Sequence, residues 1–237
     1  MKIQKQENYW TSLSDIMTGL MVIFLFISIS YMLQIQKKQK EKDKIVEDFQ
    51  NTKVELYKEL KKEFENDFKK EKWHAVLDED LSIRFLNEKV LFDYDDYILK
   101  PEFKSILDDF FPRYLNILMQ DKYKDKILEV RIEGHTDSKG DYLYNVELSQ
   151  NRTRSVLSYV LNQTNTLISN LTVQDQKKVR FWLIANGFSS GRTLDNEGNY
   201  TLESNKPEDY QRSRRVEFRI VTKTEDVIEE IIKKMQD

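Results

Sequence analysis

The stretch KILEVRIEGHTDSKGDYLYNVELSQNRTRSV, residues 126–156, decides the fold. Leu128, Val130 and Ile132 alternate with Glu129, Arg131 and Glu133, the period of two expected of a half-buried strand, and Gly134 ends it. HTDSKGD follows as a turn-rich loop. From about Asn145 to Leu161, Val146, Leu148, Val156, Leu157 and Val160 supply the apolar positions of a helix.

The same reading extends on both sides. LSIRFL (81–86) and KVLF (89–92) read as short strands, and DYDDYILKP leads into a helix that starts near Pro101 and runs towards Met119. After 162–172, a polar connection, TVQDQKKV forms a small helix with Thr172 as its cap. RFWLIANG is a buried strand, 189–211 a long polar loop, SRRVEFRIV (213–221) the last strand, and EDVIEEIIKKM a closing helix. The β-α-β-α-β order predicts an α+β fold with helices packed on one mixed sheet.

Ahead of this domain lies a segment from Gln34 to about Trp73 rich in Lys, Glu, Asp and Gln, without Pro or Gly. Ile45, Phe49, Leu56, Leu60, Phe64 and Phe68 recur at spacings of four or seven, a single helical stripe. Either a solvated linker helix or a helix that pairs two copies of the chain fits that pattern. Before it, nothing from Ile16 to Leu33 is charged. Counted from Leu13, the run covers a hydrocarbon core of about 30 Å at about 1.5 Å per residue. It exceeds a signal peptide's apolar region and no A-x-A-like cleavage site follows, so it reads as an uncleaved anchor. Asp15 stands at its edge. A carboxylate in a membrane segment costs roughly 3 kcal/mol at the helix centre, which makes an intramembrane acid a functional hypothesis by default.

The expected domains are therefore a short tail (1–12), a transmembrane helix (13–33), a charged helical linker (34–76), an α+β domain (77–222) and a C-terminal helix (223–237). With 33% charged residues and a formal net charge of −3, the chain lacks the basic excess of a nucleic-acid binder. It has no Cys, which removes disulfides, thiolate nucleophiles and Cys-ligated metals. His74 and His135 are its two histidines.

Three blocks, EGHTDSKGDYLYNVELSQNRTRSV, LIANGFSS and SRRVEFRI, resemble the OmpA-like peptidoglycan-binding domain. In that family a strand ends in G-H-T-D, a helix carries Y-N-x-x-L-S-x-x-R and a final strand begins R-R-V-E. The resemblance implies that Asp137 accepts hydrogen bonds from the ammonium of a peptidoglycan diamino acid. It implies that Arg152 holds the same residue's carboxylate through its bidentate fork. Asn145, Leu148 and Arg214 match supporting positions. Two departures stand out: Ser213 replaces a common Asn, and GFSS replaces G-Y-G-E. His135 has no third ligand nearby in sequence and matches a structural His of the family, so no metal, cofactor or catalytic role is expected of it.

The segment YWTSLSDIMTGLMVIFLF resembles the transmembrane helix of MotB-type stator subunits, with Trp10, Asp15, Met17, Leu20, Met21 and Phe24 keeping the pattern. A membrane Asp followed by a periplasmic OmpA-like domain is that family's architecture. It implies an ion-carrying Asp15, with transported H⁺, or Na⁺ if the hydroxyls of Thr11, Ser14 and Thr18 help coordinate it. Counting Lys and Arg alone, five at positions 37–44 against Lys2 and Lys5, puts the large domain in the cytoplasm; the resemblance implies the reverse orientation in the bacterial inner membrane.

The short N-terminal tail and the segment LTVQDQKKVRFWLIANG look most like the B subunits of Zorya anti-phage defence systems. That resemblance implies a homodimer inside a ring of five MotA-like membrane subunits, with soluble effectors downstream. A flagellar stator subunit and a passive envelope tether are the alternatives; the tether has no use for Asp15.

Overall fold

The structure, a computed structural model, describes residues 4–69, 72–163 and 168–223. The chain divides into two units, 1–50 and 51–237, and the first helix contributes to both. This helix, α1 (Gln4–Lys69), carries an apolar, solvent-facing span within Ser12–Lys44 that is long enough to cross a membrane. The expected closing helix, at 225–235, lies outside the described residues.

The second unit contains a five-stranded sheet in the order β1-β2-β5-β3-β4, formed by β1 (Ala75–Leu77), β2 (Ser82–Phe85), β3 (Ile127–His135), β4 (Leu183–Gly187) and β5 (Arg215–Thr222). Only β3 and β4 are parallel; the other pairs are antiparallel. The helices are α2 (Glu88–Leu91), α3 (Pro101–Leu118), α4 (Tyr142–Gln163), α5 (Val173–Trp182), α6 (Thr201–Ser204) and α7 (Tyr210–Ser213).

Period-two alternation gives the sheet two different faces. Ile83, Phe85, Val130, Ile132, Val216, Phe218 and Ile220 form one, all buried. Against it pack Phe103, Phe110 and Tyr114 of α3, with Phe110 5.3 Å from Phe85, 5.1 Å from Phe218 and 4.9 Å from Tyr114 between ring centroids. Aromatic contacts of this kind add about 0.5–1.5 kcal/mol each beyond the area they bury.

The charged helical segment departs from the solvated-linker reading of its stripe. Leu56, Leu60 and Phe64 are fully buried in this unit's own core, and the Phe64 ring lies 5.3 Å from that of Phe110. Residues 51–69 are therefore part of the globular unit rather than of a linker over 34–76. Glu63 and Asp67 reinforce this by accepting from the Arg113 guanidinium of α3, at 2.7 and 3.0 Å. A single apolar stripe on a helix cannot say which surface covers it; here α3 and the β-sheet core do.

Two expected strands also differ. KVLF is a helical turn (α2) followed by Phe92, which forms an isolated antiparallel bridge with Leu99. The first sheet strand is instead β1, at 75–77, upstream of LSIRFL. In RFWLIANG the first three residues complete α5, because Val179 and Trp182, three apart, are buried on one helix face, and the strand starts at Leu183. Thr172 caps α5 as expected, accepting from the Asp175 N–H at 3.1 Å. The 189–211 loop contains α6 and part of α7.

Candidate functional site

Where α4 crosses the sheet, the chain backbone comes close enough to exclude side chains. A Cβ on Gly134 would sit 2.7 Å from the Ser149 carbonyl oxygen and from Thr153 Cγ2, and one on Gly187 would lie 2.4 Å from the Gln150 N–H nitrogen. The strand itself continues through Gly134 to His135. The glycine is required by the close approach of α4, which brings Arg152 to the C-terminal end of β3 beside the loop that carries Asp137.

Asp137 and Arg152 line one cleft of about 440 Å³ together with Asp95, Lys139, Tyr144 and Arg214. Both are nearly buried, at 7% and 5% exposure. The Asp137 carboxylate accepts from the Lys139 N–H at 3.0 Å and from the Arg214 guanidinium. Asn145 also lines the cleft, and its amide donates to the Lys139 carbonyl at 2.9 Å, fixing the loop, whose Gly140 has φ +89°. Leu148 contributes an apolar wall.

Arg152 is held by Phe92, at the end of KVLF, and by the loop that follows it. The Phe92–Leu99 bridge closes residues 93–98 into a loop. The Asp96 carbonyl accepts from Arg152 Nε at 2.8 Å and the Asp93 carbonyl from Nη2 at 3.4 Å, while the guanidinium lies 4.9 Å from the Phe92 ring centroid. Tyr144 ties the loop to α4 by donating to Asp95 Oδ1 at 2.6 Å, a bond that also pushes the Tyr144 hydroxyl pKa up. Asp93, Asp95, Asp96 and Tyr144 were not singled out from sequence. The acidic run DYDDY was the available signal, but backbone carbonyls carry much of its function, and those have no residue signature.

The long polar loop reaches the rim. Glu208 accepts from the Ser138 N–H at 3.2 Å and from its hydroxyl at 2.5 Å. Ser189, at the third position of GFSS, takes φ +52°, a left-handed conformation natural to the glycine it replaces. Its hydroxyl donates to the Tyr142 carbonyl at 2.9 Å, tying the loop to α4. Ser213 accepts from the Leu194 N–H at 3.0 Å, bracing the turn before Arg214.

The second sheet face is polar and buried. Register pairs Glu133 with Glu217 and His135 with Arg215, so the sheet supplies the carboxylates that His135 lacks in sequence; their ligand atoms and those of His135 lie within 4.8 Å of one another. Arg192 pairs with Glu133 at 3.3 Å, while Arg215 and Arg84 approach the same Glu217 oxygen at 2.5 and 3.3 Å. Arg84 also meets Asp78 at 2.7 Å. Three guanidiniums thus balance three carboxylates, and a divalent cation would add uncompensated charge beside Arg215. Phe188 stacks on the His135 ring at 5.3 Å. Burial, then Arg215, hold the His135 pKa well below 6.5, and burial pushes that of Glu133 up. This face packs the loop; it is an electrostatic core.

In α1, Asp15 and Ser14 are solvent-facing within the apolar span. Thr18 donates its hydroxyl to the Ser14 carbonyl at 2.8 Å, the backbone bond common to hydroxyls in membrane helices. Thr11 is helical, and its side chain lies outside the described residues.

Residues 91–201 match the OmpA family. A Zorya protein ZorB from Escherichia coli (Crooks strain) is 38% identical over 240 residues, covering 98% of this chain and 95% of its own length. The chain belongs to the ZorB family. A second ZorB, from an ETEC strain of Escherichia coli, is 27% identical over 92% of this chain and 81% of its own. Among solved structures, a MotB-like protein from Desulfovibrio vulgaris is 21% identical, with a TM-score of 0.46, covering 76% of this chain and 98% of that one. The ZorB similarity spans the apolar helix as well as the sheet domain, so both units of this ZorB-family chain belong to one architecture.

Proposed function

We propose that the chain is the ion-conducting B subunit of an inner-membrane rotary motor, anchored to peptidoglycan and serving anti-phage defence. The observation that carries this is the ZorB similarity over 98% of the chain, which joins a membrane helix bearing Asp15 to a domain bearing the Asp137–Arg152 cleft. A cleft with a fixed carboxylate and a fixed guanidinium suits a zwitterionic amino-acid head: Asp137 takes the ammonium and Arg152 the carboxylate of a wall diamino acid. The domain then faces the periplasm and the N-terminus the cytoplasm.

Two copies of the chain sit within a ring of five MotA-like subunits, with soluble effectors downstream. A proton neutralises Asp15 from one side and leaves on the other, and each charge crossing ~100 mV releases about 2.3 kcal/mol. Alternate neutralisation favours two packings of the helix against its partners in turn. The ion is H⁺ on this reading, with Na⁺ the alternative if the hydroxyl oxygens of Thr11, Ser14 and Thr18 help coordinate it.

Co-sedimentation of the detergent-solubilised full chain with purified sacculi tests the anchor. Wild type is expected in the pellet, and Asp137→Asn and Arg152→Ala in the supernatant. Equal sedimentation of all three would refute wall binding at this cleft.

A further inference from the structure

The segment 207–214 forms a rigid brace against the loop that carries Asp137. The Asp209 N–H donates to the Leu194 carbonyl at 2.7 Å, and the Ser213 hydroxyl accepts from the Leu194 N–H at 3.0 Å. Both ends of α7 are thus fastened to one buried residue. Asp209 also caps α7, accepting from the N–H groups of Gln211 and Arg212 at 2.9 and 3.1 Å. Pro207 restricts the backbone one residue ahead of Glu208.

Opposite the brace, Ser138, Lys139 and Gly140 are exposed, directly after the nearly buried Asp137. Three successive residues of that loop each meet the brace. The Asp137 carboxylate accepts from Arg214, and Ser138 donates both its N–H and its hydroxyl to Glu208. The Lys139 ammonium lies 4.3 Å from the Tyr210 ring centroid. Lys139 in turn donates its N–H to Asp137 at 3.0 Å, so whatever holds Ser138 and Lys139 also holds the carboxylate. Among the described residues lining the cleft, neither Glu208 nor Tyr210 appears. Their route to a ligand runs through the 137–139 loop.

We propose that Glu208 and Tyr210 are positioning residues for diamino-acid binding, fixing the 137–139 loop so that the Asp137 carboxylate is already in place when the ligand's ammonium arrives. The proposal rests on the cleft being the diamino-acid site. A supporting layer of hydrogen bonds and packing holds binding groups to within about 0.5 Å of their productive geometry. Without the brace, the exposed loop tip samples other positions, and binding carries the cost of ordering it.

Calorimetric titration of the detergent-solubilised full chain with free meso-diaminopimelate tests this. Glu208→Ala is expected to weaken binding about threefold to tenfold, and Tyr210→Leu about twofold to fivefold. Glu208→Gln keeps an acceptor for the Ser138 hydroxyl and should return affinity to within about twofold of wild type. A cycle with Asp137→Asn separates positioning from a general structural role. In that background Glu208→Ala should change affinity less than about twofold, because the carboxylate it positions is gone. Wild-type affinity in both Glu208→Ala and Tyr210→Leu would overturn the proposal. So would a Glu208→Ala loss of the same factor with and without Asp137. If wild type does not bind meso-diaminopimelate, the diamino-acid reading of the cleft falls and this proposal with it.

Discussion

The Asp137 carboxylate accepts a hydrogen bond from the guanidinium of Arg214, a residue 77 positions later in the chain. The loop after β3 and the turn before β5 are thereby joined at the cleft, and Arg214 sets the direction in which Asp137 faces. Arg214→Gln is expected to weaken diaminopimelate binding by about threefold to tenfold, as for one partly exposed charge-assisted bond. Asp137→Asn, which removes the ammonium's own partner, should cost a further order of magnitude or more. Titration of both variants checks the ranking; an Arg214 variant as weak as the Asp137 variant would make Arg214 a direct ligand.

Gly134→Ala places a Cβ 2.7 Å from the Ser149 carbonyl and Thr153 Cγ2. Overpacking of this kind costs about 1–3 kcal/mol. Urea unfolding should show that loss, and because α4 must shift and takes Arg152 with it, ligand affinity should fall too. Unchanged stability would contradict the close approach.

Leu60→Ala removes a side chain with no exposed surface. Large-to-small substitutions at such sites cost about 2–5 kcal/mol. The unfolding midpoint of the domain should drop accordingly, whereas a helix serving only as a linker would leave it unmoved.

His135 carries a pH dependence. Its folded pKa lies well below 6.5, so as pH falls through 6.5 the unfolded chain takes up a proton that the folded chain refuses, and folding loses stability. Facing it are Glu133, Glu217, Arg84, Arg192 and Arg215. The raised pKa of Glu133 acts in the opposite sense, since the folded chain takes its proton first as pH drops. Comparison with His135→Gln isolates the histidine. The variant should gain on wild type between pH 7.5 and 5.5 by at most about 1.4 kcal/mol per pH unit. A difference independent of pH would contradict a neutral, buried His135.

Much of the sheet was legible because β3 alternates from Glu129 to Glu133 and β5 from Arg215 to Ile220, and α3 begins at Pro101. That Asp137 and Arg152 line one cleft was legible only through family motifs, since neither residue's surroundings are local in sequence. The 93–98 clamp on Arg152 was hidden, because KVLF has strand-like composition while its place is set by the Phe92–Leu99 bridge and the burial of Leu91 and Phe92. The assignment of Leu56, Leu60 and Phe64 to the core was hidden for a related reason: periodicity marks a buried face but never names its cover. The polar second face, with Glu133 opposite Glu217, follows from strand register, which no single segment contains.

On the proposed function, ion passage through Asp15 drives the defence. The most direct measurement is phage plaquing efficiency in cells carrying the native operon, comparing wild type with Asp15→Asn at matched protein levels. Asparagine keeps the shape and removes the titration. Protection by wild type and its loss in the variant is the predicted result; equal protection by both would contradict ion conduction through Asp15.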